Sequence, residues 1–145
     1  MGREIVPSEL VIANLKRLCV TVLQPIRNEM VVVEGRVFPI TVTSGYRPLW
    51  LNRAIGGSRT SAHIDGRAVD CRFVWMSNFD AATFIAGIID RYPIDQLIYE
   101  FGQWIHIGIA PEGQNPRREI LTAVRDVTSR KTIYLPGLVK QHGDD

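Results

Sequence analysis

Apolar positions outline the chain before any single residue does. Val11, Leu15, Leu18, Val22, Ile26 and Met30 recur at steps of three or four, the stripe of an amphipathic helix lying on a core. Ser8 and Glu9 suit its start, as N-cap and first-turn acid. Pro25 falls within the stripe and should kink or interrupt it, because proline lacks the N–H of one helical hydrogen bond. Residues 30–33 are apolar and β-branched and read as a short strand; residues 37–42 alternate around Pro39 and read as another. A turn over 43–48 releases the chain into a short helix over 49–55, closed by Gly56 and Gly57.

The second half is more regular. Residues 68–73 form a strand with Ala68, Asp70 and Arg72 on one face and Val69, Cys71 and Phe73 on the other. Ser77 or Asn78 caps a helix over 79–91, with Phe79, Ala82, Phe84, Ile85, Ile88 and Ile89 as its buried candidates and Pro93 as its stop. Residues 96–100 and 104–109 make a hairpin through the loop Phe101-Gly102-Gln103. A polar loop follows over 111–117, then two weaker strands over 120–124 and 132–135. The tail after residue 138 reads as frayed, with His142 inert in it. The expectation is an α+β fold of one domain, residues 1–145: a small antiparallel sheet flanked by an N-terminal helix and a second long helix.

Composition adds limits. With 145 residues, 46% of them apolar and 22% charged, the chain can bury one sizeable core of a soluble protein. A net charge of +2 makes no case for nucleic acid. Five arginines fall from Arg47 to Arg72; they suit an anionic substrate, although scattered solvated arginines are the commoner explanation. Two cysteines make no disulfide framework. Cys19 on the helical stripe and Cys71 on the strand face opposite Asp70 both read as small buried hydrophobes. The apolar stretch over 10–23 is broken by Asn14, Lys16 and Arg17, so it is neither a signal-peptide core nor a membrane span. A monomer made in the cytoplasm, with no stable membrane insertion, is expected.

Candidate chemistry gathers in residues 58–70, SRTSAHIDGRAVD. His63 lies in a loop and Asp70 on a strand. In 104–109 the three isoleucines must face the core, so His106 points the other way with Trp104 and Gly108. A histidine on a strand face is most often a hydrogen-bonded structural group. A loop histidine followed by a strand aspartate, with Gly66 and Ala68 between them, can also turn two ligands to one point. Zinc takes nitrogen and oxygen donors at about 2.0–2.2 Å, and three protein ligands leave the fourth position to water, as in catalytic sites. The residues by themselves leave both readings standing.

Three motifs then add a resemblance. Residues 61–70, Ser61-Ala62-His63-Ile64-Asp65-Gly66-Arg67-Ala68-Val69-Asp70, fit S-x-H-x-x-G-x-A-x-D at every fixed position. Ser44-Gly45-Tyr46-Arg47 fits S-G-Y-R, and Trp104-Ile105-His106 fits W-x-H, in the same order. On these residues the chain resembles the zinc-dependent D-alanyl-D-alanine carboxypeptidase and phage endolysin family, the M15 type of peptidoglycan peptidase. The resemblance spans roughly residues 10–138. It implies one zinc ion (Zn2+) on His63, Asp70 and His106, a peptidoglycan stem peptide as substrate, and Arg47 on the scissile carbonyl oxygen or a substrate carboxylate. Tyr46, Ser61 and Trp104 would line the substrate beside it. A fixed guanidinium near the metal can indeed stabilise charge developing on that oxygen.

The general base departs from the pattern. Many relatives carry glutamate three residues before the last histidine; here Gln103 stands there, and an amide cannot take a proton. Glu100 is the nearest replacement, in a place where some relatives carry glutamate. A three-residue loop pairs Glu100 with Trp104 and puts it on the His106 face, diagonal to it at roughly 7–8 Å. A two-residue loop would send it to the opposite face. Asp65 is a second candidate with a shorter reach. The resulting expectation is a zinc metallopeptidase, carboxypeptidase-like or endolysin-like, in cell-wall degradation during bacteriophage lysis. The rival is a non-catalytic zinc-binding module that docks on the wall or sits in a virion, with Gln103 as the reason hydrolysis was lost. A third reading, hydrolysis of free D-Ala-D-Ala, stays within the enzyme class. Two imidazoles and a carboxylate also accept cobalt or manganese.

Overall fold

A computed structural model describes residues 5–141, so His142 lies outside the described residues. The element order is α1 (Glu9–Leu18), a π-helical turn (Cys19–Leu23), α2 (Gln24–Glu34), β1 (Ile40–Ser44), α3 (Leu49–Ala54), a 3-10 turn (Ala62–Asp65), β2 (Ala68–Phe73), α4 (Asn78–Ile88), a second 3-10 turn (Ile89–Arg91), β3 (Ile94–Glu100), β4 (Trp104–Ile109), β5 (Glu119–Arg125) and β6 (Thr132–Pro136). Six strands form one sheet in the order β1-β2-β4-β3-β5-β6. The α+β class holds. The sheet is mixed where an antiparallel one was expected: β3 pairs with β5 in parallel, and every other neighbouring pair is antiparallel.

The first helical stripe holds, and it runs through Pro25. Leu18, Val22, Ile26 and Met30 are four residues apart, and each such step overshoots a 3.6-residue turn by about 40°. The wider π-helical turn absorbs part of that drift. It also ends where Pro25 occupies the first turn of α2, the position in which a missing N–H costs least. The strand expected over 30–33 is therefore corrected: these residues are the end of α2. Met30 continues the buried stripe while Val32 and Val33 are exposed, and Gly35 closes the helix with φ 71°. Cys19 is also corrected. It is exposed, one residue off the stripe, whereas Cys71 is buried.

One face of the sheet is the core. Val69, Cys71 and Phe73 of β2, Leu97 and Tyr99 of β3, and Ile105, Ile107 and Ile109 of β4 join the stripe of α1–α2 and the Ala81, Ala82, Ile85 and Ile88 side of α4. Ser77 caps α4, accepting from Asp80 N–H at 3.0 Å. Burying each isoleucine of β4 contributes roughly 1.5–3 kcal/mol, so a one-residue slip that turned all three outward is strongly disfavoured. The same register aims Asp70, Glu100, Trp104 and His106 at the other face, Asp70 directly opposite His106 and Glu100 opposite Trp104.

The β4–β5 connection wraps around the start of β3. There Asp95 accepts from Arg117 at N (2.8 Å), Nε (3.0 Å) and Nη2 (2.7 Å), pinning the loop. Within the tail expected to fray, Val139 N–H donates to Thr122 Oγ1 at 2.9 Å.

Candidate metal centre

His63 is placed by backbone. Its carbonyl accepts from Arg47 N–H (3.0 Å) and Gly66 N–H (3.2 Å), and Arg67 N–H closes the turn on Ala62 (2.9 Å). Gly66 takes φ 70°, and a Cβ on it would lie 2.7 Å from the Val11 carbonyl oxygen, so only glycine lets this turn lie against α1. Asn14 secures the same contact from α1, donating to the Asp65 carbonyl at 2.9 Å.

The three expected ligands meet. Asp70 Oδ1 lies 3.1 Å from His63 Nε2 and 3.0 Å from His106 Nδ1, and the two ring nitrogens are 3.1 Å apart. His63 Nδ1 sits 2.7 Å from the Gly45 carbonyl oxygen. That carbonyl can only accept, so Nδ1 carries the proton and a neutral His63 turns a bare lone pair inward. Three electron-rich atoms then converge with at most one ring proton between them, an arrangement that a divalent cation satisfies. Their spacing is close to the edge of about 3.3 Å expected for a tetrahedron with bonds of 2.0–2.1 Å. The backbone partner on the outer nitrogen of His63 is the usual support of a metal-binding imidazole. All three residues are under 9% exposed, so little water competes. Burial pushes the Asp70 carboxyl up. The imidazoles of His106 and His63 packed against it outweigh that and hold the carboxyl well below the usual range.

Arg47 stands behind the ligands. Its Nη2 donates to Asp70 Oδ2 and to Ser44 Oγ, each at 3.1 Å, and its Nη1 donates to Asn52 Oδ1 at 3.3 Å. The guanidinium expected to meet substrate thus grips the metal-facing aspartate. Asn52 went unnoticed in the sequence, yet it is fully buried and anchors both Arg47 and the next loop through Ser58 O at 2.7 Å. Gly57 is its signal: a Cβ there would come within 2.3 Å of Asn52 Oδ1.

Glu100 shares the face of His106, as a three-residue loop requires. Trp104 Nε1–H donates to its Oε2 at 3.1 Å. Burial pushes the Glu100 carboxyl up; His106, the Trp104 indole and His63 pull it down, and Asp70 adds to the rise, with a raised value as the balance. Gln103 is exposed at the hairpin tip, its N–H bound to Glu100 O. Asp65 is half exposed and pairs with Arg67 at 3.1 Å. Tyr46, Ser61 and Trp104 are all half-buried, and Trp104 meets Phe101 edge-on at 5.6 Å.

A family model described as peptidase M15 matches residues 9–108, which include α1, the 3-10 turn, β2 and β4 with all three converging side chains. A comparison with curated proteins finds no match. Among the described residues, no helix is long and apolar enough to cross a membrane.

Proposed function

Since this chain belongs to the peptidase M15 family, we propose that it is a zinc-dependent peptidase that hydrolyses peptide bonds of peptidoglycan stem peptides, as a monomer, in phage-encoded lysis of a host wall. Family membership implies a metallopeptidase; the choice of zinc, substrate and setting goes further. One observation carries it: two imidazole nitrogens and one carboxylate oxygen converge at 3.0–3.1 Å with the outer nitrogen of His63 already committed to a carbonyl.

His63, Asp70 and His106 would hold a divalent ion, which would supply Lewis acidity towards the scissile carbonyl and water. Glu100 takes a proton from the attacking water as its oxygen bonds to the acyl carbon. It then delivers that proton to the departing nitrogen as the C–N bond breaks, leaving one carboxyl group and one amine. A carboxyl with raised proton affinity suits both halves of that transfer. Arg47 orients Asp70 through their hydrogen bond and keeps a positive charge beside the ligand set. Tyr46, Ser61 and Trp104 line the substrate. What supports the peptidase over a non-catalytic docking module is that Glu100 lies on the site face, whereas Gln103 stands at the exposed tip.

The deciding experiment incubates the purified protein with isolated peptidoglycan sacculi, with and without chelator, and reads the fragments by mass spectrometry. Chelator-sensitive release of new amino groups is expected, and the fragment masses name the bond. Zinc-loaded, folded protein that releases nothing would favour the docking module.

A further inference from the structure

The family match ends at residue 108, so β5 and β6 lie beyond it. These strands nevertheless continue the face that carries the metal centre. Glu100 pairs with Ala123 across the parallel β3–β5 ladder, and Ala123 pairs with Tyr134 across β5–β6. Directly paired residues project to the same side of a sheet. Trp104, Glu100, Ala123 and Tyr134 therefore form one row across four adjacent strands. The alternate row of Tyr99, Thr122 and Leu135 faces the core side.

Ala123 has no exposed surface, although Tyr134 beside it is 55% exposed. A methyl on the open face of a sheet is closed off only by the side chains around it, and in its own row those are Glu100 and Tyr134. The backbones of these two are about 10 Å apart, two strand spacings, with nothing larger than a methyl between them. Burial pushes the Tyr134 phenol up and the charge of Glu100 adds to it, so the two groups sense each other and the phenol keeps its proton. Phe101, under Arg125 at 5.3 Å and edge-on to Trp104, closes the hairpin end of this surface.

We propose that Tyr134 is a substrate-contacting residue of this site, its hydroxyl donating a hydrogen bond to the carbonyl or carboxylate of the residue whose amine leaves. The inference rests on the peptidase reading above and deepens it. Glu100 hands its proton to the departing nitrogen, so the leaving residue lies on the Glu100 side of the ligands. Along the row from Glu100, Ala123 offers no polar atom and Tyr134 is the next side-chain donor. Tyr134 thus selects a leaving group with an acceptor near its nitrogen, as any amino acid has and a plain alkylamine lacks.

The test uses the full-length zinc-loaded protein and two ligands: the stem peptide whose bond is cut in the sacculus assay, and an analogue with its leaving residue reduced to the bare alkylamine. For Tyr134→Phe, KM for the peptide should rise by roughly tenfold, the worth of one hydrogen bond, with kcat little changed. The inhibition constant of the alkylamine analogue, the zinc content and the Tm should stay at wild-type values. Ile133→Thr, on the opposite face of β6, should alter none of these. An unchanged KM for Tyr134→Phe overturns the proposal, and so does a parallel loss for both ligands, which marks a packing role. A wild-type protein that cuts no stem peptide overturns the peptidase reading and this inference together.

Discussion

Arg47 and Asp70 are joined behind the candidate metal centre: Arg47 Nη2 donates to Asp70 Oδ2 at 3.1 Å, which leaves Oδ1 to face both histidines. A carboxylate fixed in this way presents one oxygen without a search through rotamers. Arg47→Ala should weaken zinc binding by roughly 10–100-fold, the usual cost of losing a partner that orients a ligand. Competition with a chromophoric chelator measures it; an affinity equal to wild type would show that Asp70 orients itself.

Removing a ligand should be more severe. His63→Ala, His106→Ala and Asp70→Asn should each take the metal content of purified protein from one ion per chain to none. In wild-type protein, added zinc should raise the Tm with concentration, because an ion that binds only the folded chain stabilises it by mass action. A Tm indifferent to zinc and chelator would argue against a site at these residues.

Glu100 and Gln103 make opposite forecasts from neighbouring positions. Glu100→Gln keeps the shape and the Trp104 contact but cannot accept a proton, so kcat should fall by about 10²–10⁴-fold with zinc retained. Gln103→Ala, at the exposed tip, should leave kcat near wild type. Steady-state kinetics on a soluble stem peptide checks both, and a fully active Glu100→Gln would remove it as the base.

Gly66→Ala tests how the ligand turn is seated. The residue would be held at φ 70° with its new methyl against the Val11 carbonyl, so the protein should lose at least about 1 kcal/mol and the Tm should drop. Thermal unfolding measures this, and an unchanged Tm would mean that the turn can leave α1 freely.

The Asp95–Arg117 clamp carries a pH signature. Burial raises the Asp95 carboxyl, but the hydrogen bonds and charge of Arg117 outweigh it and leave the folded value below the ordinary one. A carboxylate lowered in the folded state stabilises fully above its unfolded pKa of about 3.9 and loses that contribution as pH falls through the folded value. Below about pH 4 the wild type should therefore lose this contribution, while Asp95→Asn, already less stable at neutral pH, should not. Tm against pH for both proteins shows whether the difference closes as expected.

What the sequence determined by itself is whatever rests on local period and spacing. Alternation fixed β2 over 68–73 and β4 over 104–109, because three isoleucines on one face leave His106 only the other. The motif around His63 marked the ligand turn, whereas the pairing of Glu100 with Trp104, open in the sequence between a two- and a three-residue loop, was decided by the folded hairpin. Tertiary structure decided the rest. Residues 30–33 look like a strand by their β-branched side chains, yet the buried stripe that Met30 continues holds them in a helix. The parallel pairing of β3 with β5 depends on where the 110–118 loop is pinned, which no period records. Arg47 was visible as a motif residue, but its grip on Asp70, the buried support of Asn52 and the alignment of Tyr134 with Glu100 join residues 23, 5 and 34 positions apart. The first and last of these arise only when the sheet brings distant segments side by side, and the Asn52 contact only when α3 folds back on the Arg47 turn.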